Sequence, residues 1–232
     1  TYVIAAQPQL YDLSAMSDDD YFLNEKNPEI LFTYGYYLVS YYAWLAKCNF
    51  PISDDLQALY GDNDWRLTHF FYKRRAVYTA QKSETSGTTG IYGYAFRTAE
   101  AYLNRAEAYA GKGDKDKALQ DLKTIREKRL KVYEEVQAVT KEDVIRRVRE
   151  ERRRELSFEF HRWFDLRRWD RPRIEHTFTP DIKQPDVVEK YVLEKDDPAY
   201  TLPLPRSVVE YDPTLVDNPR PQRENQNVTG EN

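Results

Sequence analysis

Apolar residues recur at helical spacing most clearly in the middle of the chain. In "AFRTAEAYLNRAEAYAGKG", which opens just after Tyr94, the residues Phe96, Ala99, Tyr102, Leu103, Ala106, Tyr109 and Ala110 fall on one face, and Gly111 and Gly113 supply a stop. "DKDKALQDLKTIREKRL" repeats the pattern with Ala118, Leu122 and Ile125. The two segments predict a helical hairpin over 93–130, with small and large apolar residues at the offsets of a tetratricopeptide repeat. Such repeats bury a core only when about three are stacked, so a single copy calls for further packing helices. A third helix is predicted over 140–170, opening at Thr140 with Asp143 three residues on in a capping-box arrangement.

The rest of the pattern is broken. Residues 1–33 read as irregular, with Ile30 to Phe32 as a short strand. Residues 34–51 are loaded with aromatics and end at Pro51. Ser53 is a good N-cap for a short helix carrying Leu56, Leu59 and Tyr60. A strand pair is expected within 66–81, and "KSETSGTTGIYG" reads as a loop. From 171 to 232 prolines between Pro172 and Pro221 forbid long helices, which predicts an extended, Pro-rich tail with "RENQNVTGEN" loosely tethered. The fold class expected is mainly α, with repeat-like helical packing, long irregular loops and little β, in one domain over 1–232.

Charge changes the reading of the third helix. "EERRRELSFEFHRWFDLRRWDR", Glu150 to Arg171, has the look of a nucleic-acid arm. On a helical wheel, however, Ile145, Val148, Leu156, Phe160, Trp163 and Leu166 share one arc, with Arg152 at its centre, Glu159 beside it, and Glu155 and Arg162 on its edge. A buried charge left unpaired costs several kcal/mol or more, so these groups are expected to pair. Glu100 and Glu107 border the apolar face of the first hairpin helix. An interhelical network is therefore expected to join Glu100 or Glu107 to Arg152, with Glu155 and Glu159 competing for arginines. The interleaved acids and a net charge of -4 argue against nucleic-acid binding.

Composition removes other classes. Cys48 is the sole cysteine, which excludes a disulfide framework and a multi-cysteine metal site. His69, His161 and His176 make no metal-ligand spacing. No run approaches the roughly 18 apolar residues of a membrane span. Thr1 opens without Met or a charged leader, as in an intracellular chain or a piece of a longer one. G-x-S-x-G and P-loop motifs are absent, and the carboxylates at Asp18 to Asp20, Asp54 and Asp55 sit in turn or cap contexts. No catalytic residue, metal or cofactor is expected. The oddity is 19 Tyr and 4 Trp against 8 Gly, amphipathic aromatics that suit wet binding surfaces as well as cores.

"FRTAEAYLNRAEAYAGKGD", followed at a distance by "ERRRELSFEFHRWFDLRRW", resembles the closing half of the SusD/RagB family of bacterial surface lipoproteins. "NPEILF", "LQALYGDNDWR" with its Asp64 and Arg66, and "YTLPLPRSVVEYDPTLVDNP" match in family order, so the resemblance spans nearly the whole chain. One departure is Phe160, where many members carry glycine; another is the terminal "NP", shorter than the family's usual ending. The resemblance implies a SusD-like fold and a non-enzymatic protein of the polysaccharide- and starch-utilization type. Such a protein binds an oligosaccharide or polysaccharide, or else a peptide, at the cell outer membrane. It delivers that ligand to a SusC-like TonB-dependent transporter, and is held to the membrane through an N-terminal lipid anchor outside this chain. The alternative is a scaffold that docks on the transporter while the ligand site lies in a missing N-terminal half.

Sugar recognition uses flat aromatic faces and planar polar groups. On that ground Tyr36, Tyr41, Tyr42 and Trp44, with Asn49 and Trp65, are the expected glycan-binding residues, whereas Asp64 and Arg66 are expected to hold the fold together.

Overall fold

The structure, a computed structural model, describes residues 2–17, 20–33, 51–74, 77–82, 95–179, 186–219 and 226–229. They separate into two compact units, Thr1–Arg162 and Trp163–Asn232.

The first unit is built on helices. α1 (Tyr2–Ala6) precedes a strand β1 (Ile30–Thr33), two short helices α2 (Asp54–Gln57) and α3 (Arg66–His69), and a hairpin of β2 (Phe71–Arg74) with β3 (Val77–Ala80). A strand β4 (Ala95–Arg97) then leads into α4 (Thr98–Lys112), α5 (Lys115–Arg126) and α6 (Lys141–Glu155). The expected short strand, Ser53 cap and strand pair are all present: Ser53 accepts from the Leu56 amide, and Phe71 to Arg74 pair antiparallel with Val77 to Ala80.

α4 and α5 form the expected hairpin. Gly113 turns the chain at φ 83°, a left-handed conformation that glycine adopts without strain, and the Asp114 amide returns to the Tyr109 carbonyl. Asp114 then caps α5 by accepting from the Lys117 amide. Ala99, Ala106, Ala110 and Ala118 are fully buried, and their small side chains let the two helices approach until Leu103, Leu122 and Ile125 interlock with Val144 and Val148 of α6. The Thr140–Asp143 capping box at the start of α6 is complete. A second apolar cluster gathers Leu13, Phe22, Leu23, Ile52, Leu56, Tyr60, Phe70 and Phe71.

Two helix boundaries differ from those the periodicity predicts. α4 begins at Thr98, not Tyr94, because Ala95 to Arg97 are drawn into pairing with Ile30 to Thr33. The Thr98 amide is then met by the Glu29 carbonyl. The predicted helix over 140–170 is two helices, α6 and α7 (His161–Arg168), separated at Leu156 to Phe160. Phe158 and Phe160 adopt φ 60° and 65°, and Phe160, expected in the core, is 48% exposed. Left-handed backbone is costly for any residue bearing a Cβ, so Phe160 stands where glycine would fit without strain.

In the second unit the Pro-rich tail is more ordered than its sequence suggests. β5 (Ile174–Phe178), β6 (Val187–Leu193) and β7 (Gln226–Thr229) form an antiparallel sheet, and α8 (Arg206–Tyr211) lies between β6 and β7 in sequence. The segment read as loosely tethered thus supplies an edge strand, Val188 opposite Val228. Trp163 stacks on Tyr200 with ring centroids 5.2 Å apart, and the Tyr200 hydroxyl donates to the Pro172 carbonyl. The mainly α, repeat-like packing with small sheets is the fold class the sequence implies.

Candidate functional site

Between α6 and the second apolar cluster lies a knot of charge. Among the described residues, the acids Glu29, Asp64, Glu151, Glu155 and Glu159 and the cations Arg66, Lys82, Arg97 and Arg129 are buried together. Glu155 is the hub. Its Oε1 accepts from Arg97 Nη1 and Arg129 Nη2, each at 3.0 Å, and its Oε2 accepts from Arg129 Nε at 3.0 Å and Arg66 Nη1 at 3.1 Å. Arg97 also reaches Glu29 at 2.7 Å and Glu159 through Nη2 at 2.7 Å and Nε at 2.8 Å. Lys82 donates to Glu159 and to the Glu155 carbonyl, and Arg97 Nη2 meets that carbonyl at 3.1 Å.

Those last two bonds end the helix. The carbonyl of Glu155 takes side-chain cations where a continuing helix would offer it the amide of Glu159. The break in turn aims Glu159 into the cluster.

Packing sets the electrostatics of these groups. Burial works against the ionised form of Glu151, yet Arg66, Arg154 and Arg126 outweigh it and hold its carboxyl well below the usual carboxylate range. Burial likewise opposes ionisation of Glu155 and Glu159, and is overcome by Arg129 and Arg97 at the first and by Arg97 and Lys82 at the second, so both are lowered. Burial pulls the Lys82 ammonium down to about 8 against the attraction of Glu159. Phe22 lies beneath three of the cations, with Arg97 Cζ at 4.9 Å, Lys82 Nζ at 5.4 Å and Arg129 Cζ at 5.5 Å from its ring centroid. Every member is engaged and sealed from solvent. The cluster acts as a frame.

The frame holds a turn in place. Asp64 receives Arg66 through Nε at 2.9 Å and Nη2 at 2.8 Å, and accepts the Arg66 amide at 2.9 Å. The Trp65 amide donates to the Arg129 carbonyl at 2.9 Å, and the Lys131 amide to the Asn63 carbonyl at 2.8 Å. Asn63 completes the join, donating from Nδ2 to the Val132 carbonyl at 2.7 Å and accepting the Val132 amide at 2.9 Å. The turn 61–65 is thus fastened to 129–132, and the β2–β3 hairpin is fixed beside it, with the Gln81 amide donating to the Phe70 carbonyl at 2.8 Å.

A groove of about 530 Å³ opens between them, lined by Asp62, Asp64, Leu67, Thr68, Phe71, Tyr72, Lys73, Tyr78, Gln81 and Lys131. Its volume lies within the range of small-ligand sites, roughly 300–1,000 Å³. Tyr72 is 43% exposed, and Tyr78 is half-buried with Lys73 Nζ 5.0 Å from its ring centroid. Tyrosine rings beside hydroxyl, amide and carboxylate groups are a lining that suits sugars. A second cleft, about 330 Å³, lies on the other side of Asp64 and carries Arg126, Glu134, Arg147, Glu151 and Arg154. Among the described residues no set of three or more His, Cys, Asp or Glu side chains is placed to hold a metal ion, and no helix is long and apolar enough to cross a membrane.

The residues singled out from sequence fare differently. Tyr36, Tyr41, Tyr42, Trp44 and Asn49 lie outside the described residues. Trp65 is half-buried beside the groove, with Lys131 Nζ 5.1 Å from its ring centroid. Asp64 and Arg66 are joined and buried in the frame. Arg152 is buried and makes the expected ion pair with Glu100, at 3.9 Å, while its Nη1 donates to Asn104 Oδ1 at 2.8 Å. Glu155 and Glu159 share arginines as expected, meeting Arg66, Arg97 and Arg129, and Glu107 is half-buried on α4. Sequence reasoning did not pick out Glu29, Lys82, Arg97, Arg129 or Glu151 as members. The available sign was the four-residue rhythm of Glu151, Glu155 and Glu159; nothing local marks the other four.

The SusD family model matches residues 47–220. A SusD superfamily protein from Bacteroides thetaiotaomicron aligns over 91% of this chain and 52% of its own, with TM-score 0.67 and 22% identity. A SusD superfamily protein from Bacteroides vulgatus aligns over 95% of this chain and 52% of its own, with TM-score 0.55 and 21% identity. A putative sugar binding protein from the same species aligns over 76% and 41%, with TM-score 0.54 and 21% identity. The chain therefore spans about half the length of these solved relatives or less. No curated protein matches it.

Proposed function

The chain belongs to the SusD family, and from that membership we propose that it serves non-catalytic capture of glycans at the bacterial outer membrane, passing them to a TonB-dependent transporter. A SusD-like carbohydrate binding protein and a putative sugar binding protein, both from Bacteroides vulgatus, are among its structural neighbours. The observation that carries the reading is the groove beside Tyr72. Two tyrosines there border polar groups of both hydrogen-bonding senses, with Thr68 and Gln81 able to donate and accept and Asp62 able to accept.

Capture without chemistry is the role such a lining supports. Glu155 and Glu159 are buried and held ionised by arginines, so they offer neither a general acid nor a nucleophile. The aromatic segment that contains Tyr36, Tyr41, Tyr42 and Trp44 is proposed as a further part of the glycan surface, together with Asn49 and Trp65.

Affinity electrophoresis in gels containing single polysaccharides tests the reading. The chain is expected to be retarded by at least one of them. Tyr72→Ala with Tyr78→Ala should weaken that retention about tenfold or more, since aromatic faces supply most of the contact area in such sites. Retention by no polysaccharide, in a chain that still captures a TonB-dependent transporter, would move the ligand site away from these residues and favour a docking scaffold.

A further inference from the structure

The same groove carries a charge signature that the glycan reading alone does not require. Lys73 and Lys131 both line it, each with its ammonium over an aromatic ring, Tyr78 for the first and Trp65 for the second. Neither has a carboxylate partner among the described residues. That sets them apart from the cations of the frame, all of which are matched by acids. Of the two acids lining the groove, Asp64 has both oxygens committed to Arg66, which leaves Asp62 as the one acid beside two lysines. The groove also holds an unused acceptor, since Gln81 Oε1 is buried without a hydrogen-bond partner. Buried polar atoms are nearly always bonded, so an unpartnered one on a groove-lining side chain points to a donor that a ligand supplies once the amide turns outward.

We propose that the groove takes an anionic glycan, whose uronate carboxylate or sulfate ester is met by Lys73 and Lys131 while a sugar hydroxyl donates to Gln81. The inference rests on the glycan-binding reading above and narrows it to a substrate class. A neutral sugar would cover the two ammonium groups without replacing their water by an opposite charge, whereas an anionic one forms charge-assisted hydrogen bonds with both. The rings beneath the lysines add to this: each holds its ammonium in position before the ligand arrives, which lowers the ordering cost of binding.

The test uses the full chain in native gels containing galacturonan, which carries carboxylates alone, carrageenan, which carries sulfate esters alone, or the neutral polymers amylopectin and galactomannan. Retention by galacturonan or by carrageenan is expected, and whichever acts identifies the anion. Lys73→Gln with Lys131→Gln should weaken that retention about tenfold, as the loss of two exposed charge-assisted contacts implies. The control is Lys115→Gln with Lys141→Gln, which changes the net charge equally at exposed positions outside the groove and should leave retention intact. Equal loss in both double variants would overturn the inference, as would retention by the neutral polymers only, which leaves the glycan reading standing. Retention by none of the four polymers, nor by any wider panel, removes that reading and the inference with it.

Discussion

Arg129 and Glu155 meet through two parallel hydrogen bonds of 3.0 Å, Nε to Oε2 and Nη2 to Oε1, with neither side chain showing any surface to solvent. A buried pair of this kind is weak evidence for net stability against an apolar alternative, but breaking one side of it strands the other. Arg129→Met is therefore expected to destabilise the chain by about 3–5 kcal/mol in urea denaturation. A loss below about 1 kcal/mol would mean that water reaches the cluster and screens Glu155.

The same carboxylates set the response to acid. Glu151, Glu155 and Glu159 are lowered in the folded chain from an ordinary value of 4.5. Their contribution is fully present above that value and is lost as pH falls through the folded values. Thermal midpoints tracked downward from neutral pH should hold until about pH 4.5 and then drop steeply. Lys82 acts on the alkaline side with the opposite logic. Its folded value of about 8 lies below the ordinary 10.5, so the unfolded chain holds more protons between the two and stability from this group rises with pH. Lys82→Met should remove that alkaline rise while leaving in place the part of the acid limb set by Glu151 and Glu155.

Phe160 offers a test of backbone rather than charge. At φ 65° it occupies a left-handed conformation that costs an L residue roughly 1–2 kcal/mol. Phe160→Ala and Phe160→Gly both remove the ring, and only the second relieves the backbone. The glycine variant is expected to be the more stable of the two by about 1 kcal/mol, the reverse of the order found in a helix. The helical order, alanine above glycine, would show that 156–160 is helical in solution.

Arg152 and Arg153 are adjacent on α6 and differ in their contacts. Arg152 is 4% exposed and bonded to Asn104, whereas Arg153 is half-buried. Arg152→Ala should cost about 1–3 kcal/mol, less than Arg129→Met, because Glu100, the acid it meets, is partly exposed. Arg153→Ala should cost less than about 1 kcal/mol. Equal losses at Arg152 and Arg129 would show that the charge network extends to Asn104 and Glu100.

The α4–α5 hairpin was legible because its signals are local: apolar residues at helical spacing and Gly113 to turn the chain, with the Thr140 cap marking the start of α6. That α6 buries charge was legible too, since carboxylates and arginines shared its apolar arc. Of the pairs, Arg152 with Glu100 was legible, and the partners of Glu155 and Glu159 were not. The wheel was phased on Arg152, whereas α6 turns Val144, Val148, Glu151 and Glu155 inward as well. The break after Glu155 depends on Lys82 and Arg97, which lie 73 and 58 residues away in sequence, and no window along one helix contains them. The groove was missed for a related reason. Tyr72 and Tyr78 looked like strand residues, as they are, and Lys131 joins them only because Asn63 fastens two distant turns.

The cluster also has a kinetic consequence. Arg129 and Glu29 are separated by 100 residues, Arg66 and Glu151 by 85, and Arg97 and Glu159 by 62. Contacts at such separation form late, after loops have closed at an entropic cost that nearby contacts do not carry. Half of the cluster is worse than none, since an incomplete set leaves desolvated charge unmatched. The helical hairpin can thus form early and alone, but its joining to Glu29, Arg66, Lys82 and Arg97 is a single closing event. In hydrogen exchange, the amides around Glu29, Arg66 and Arg129 should therefore open together and not one at a time.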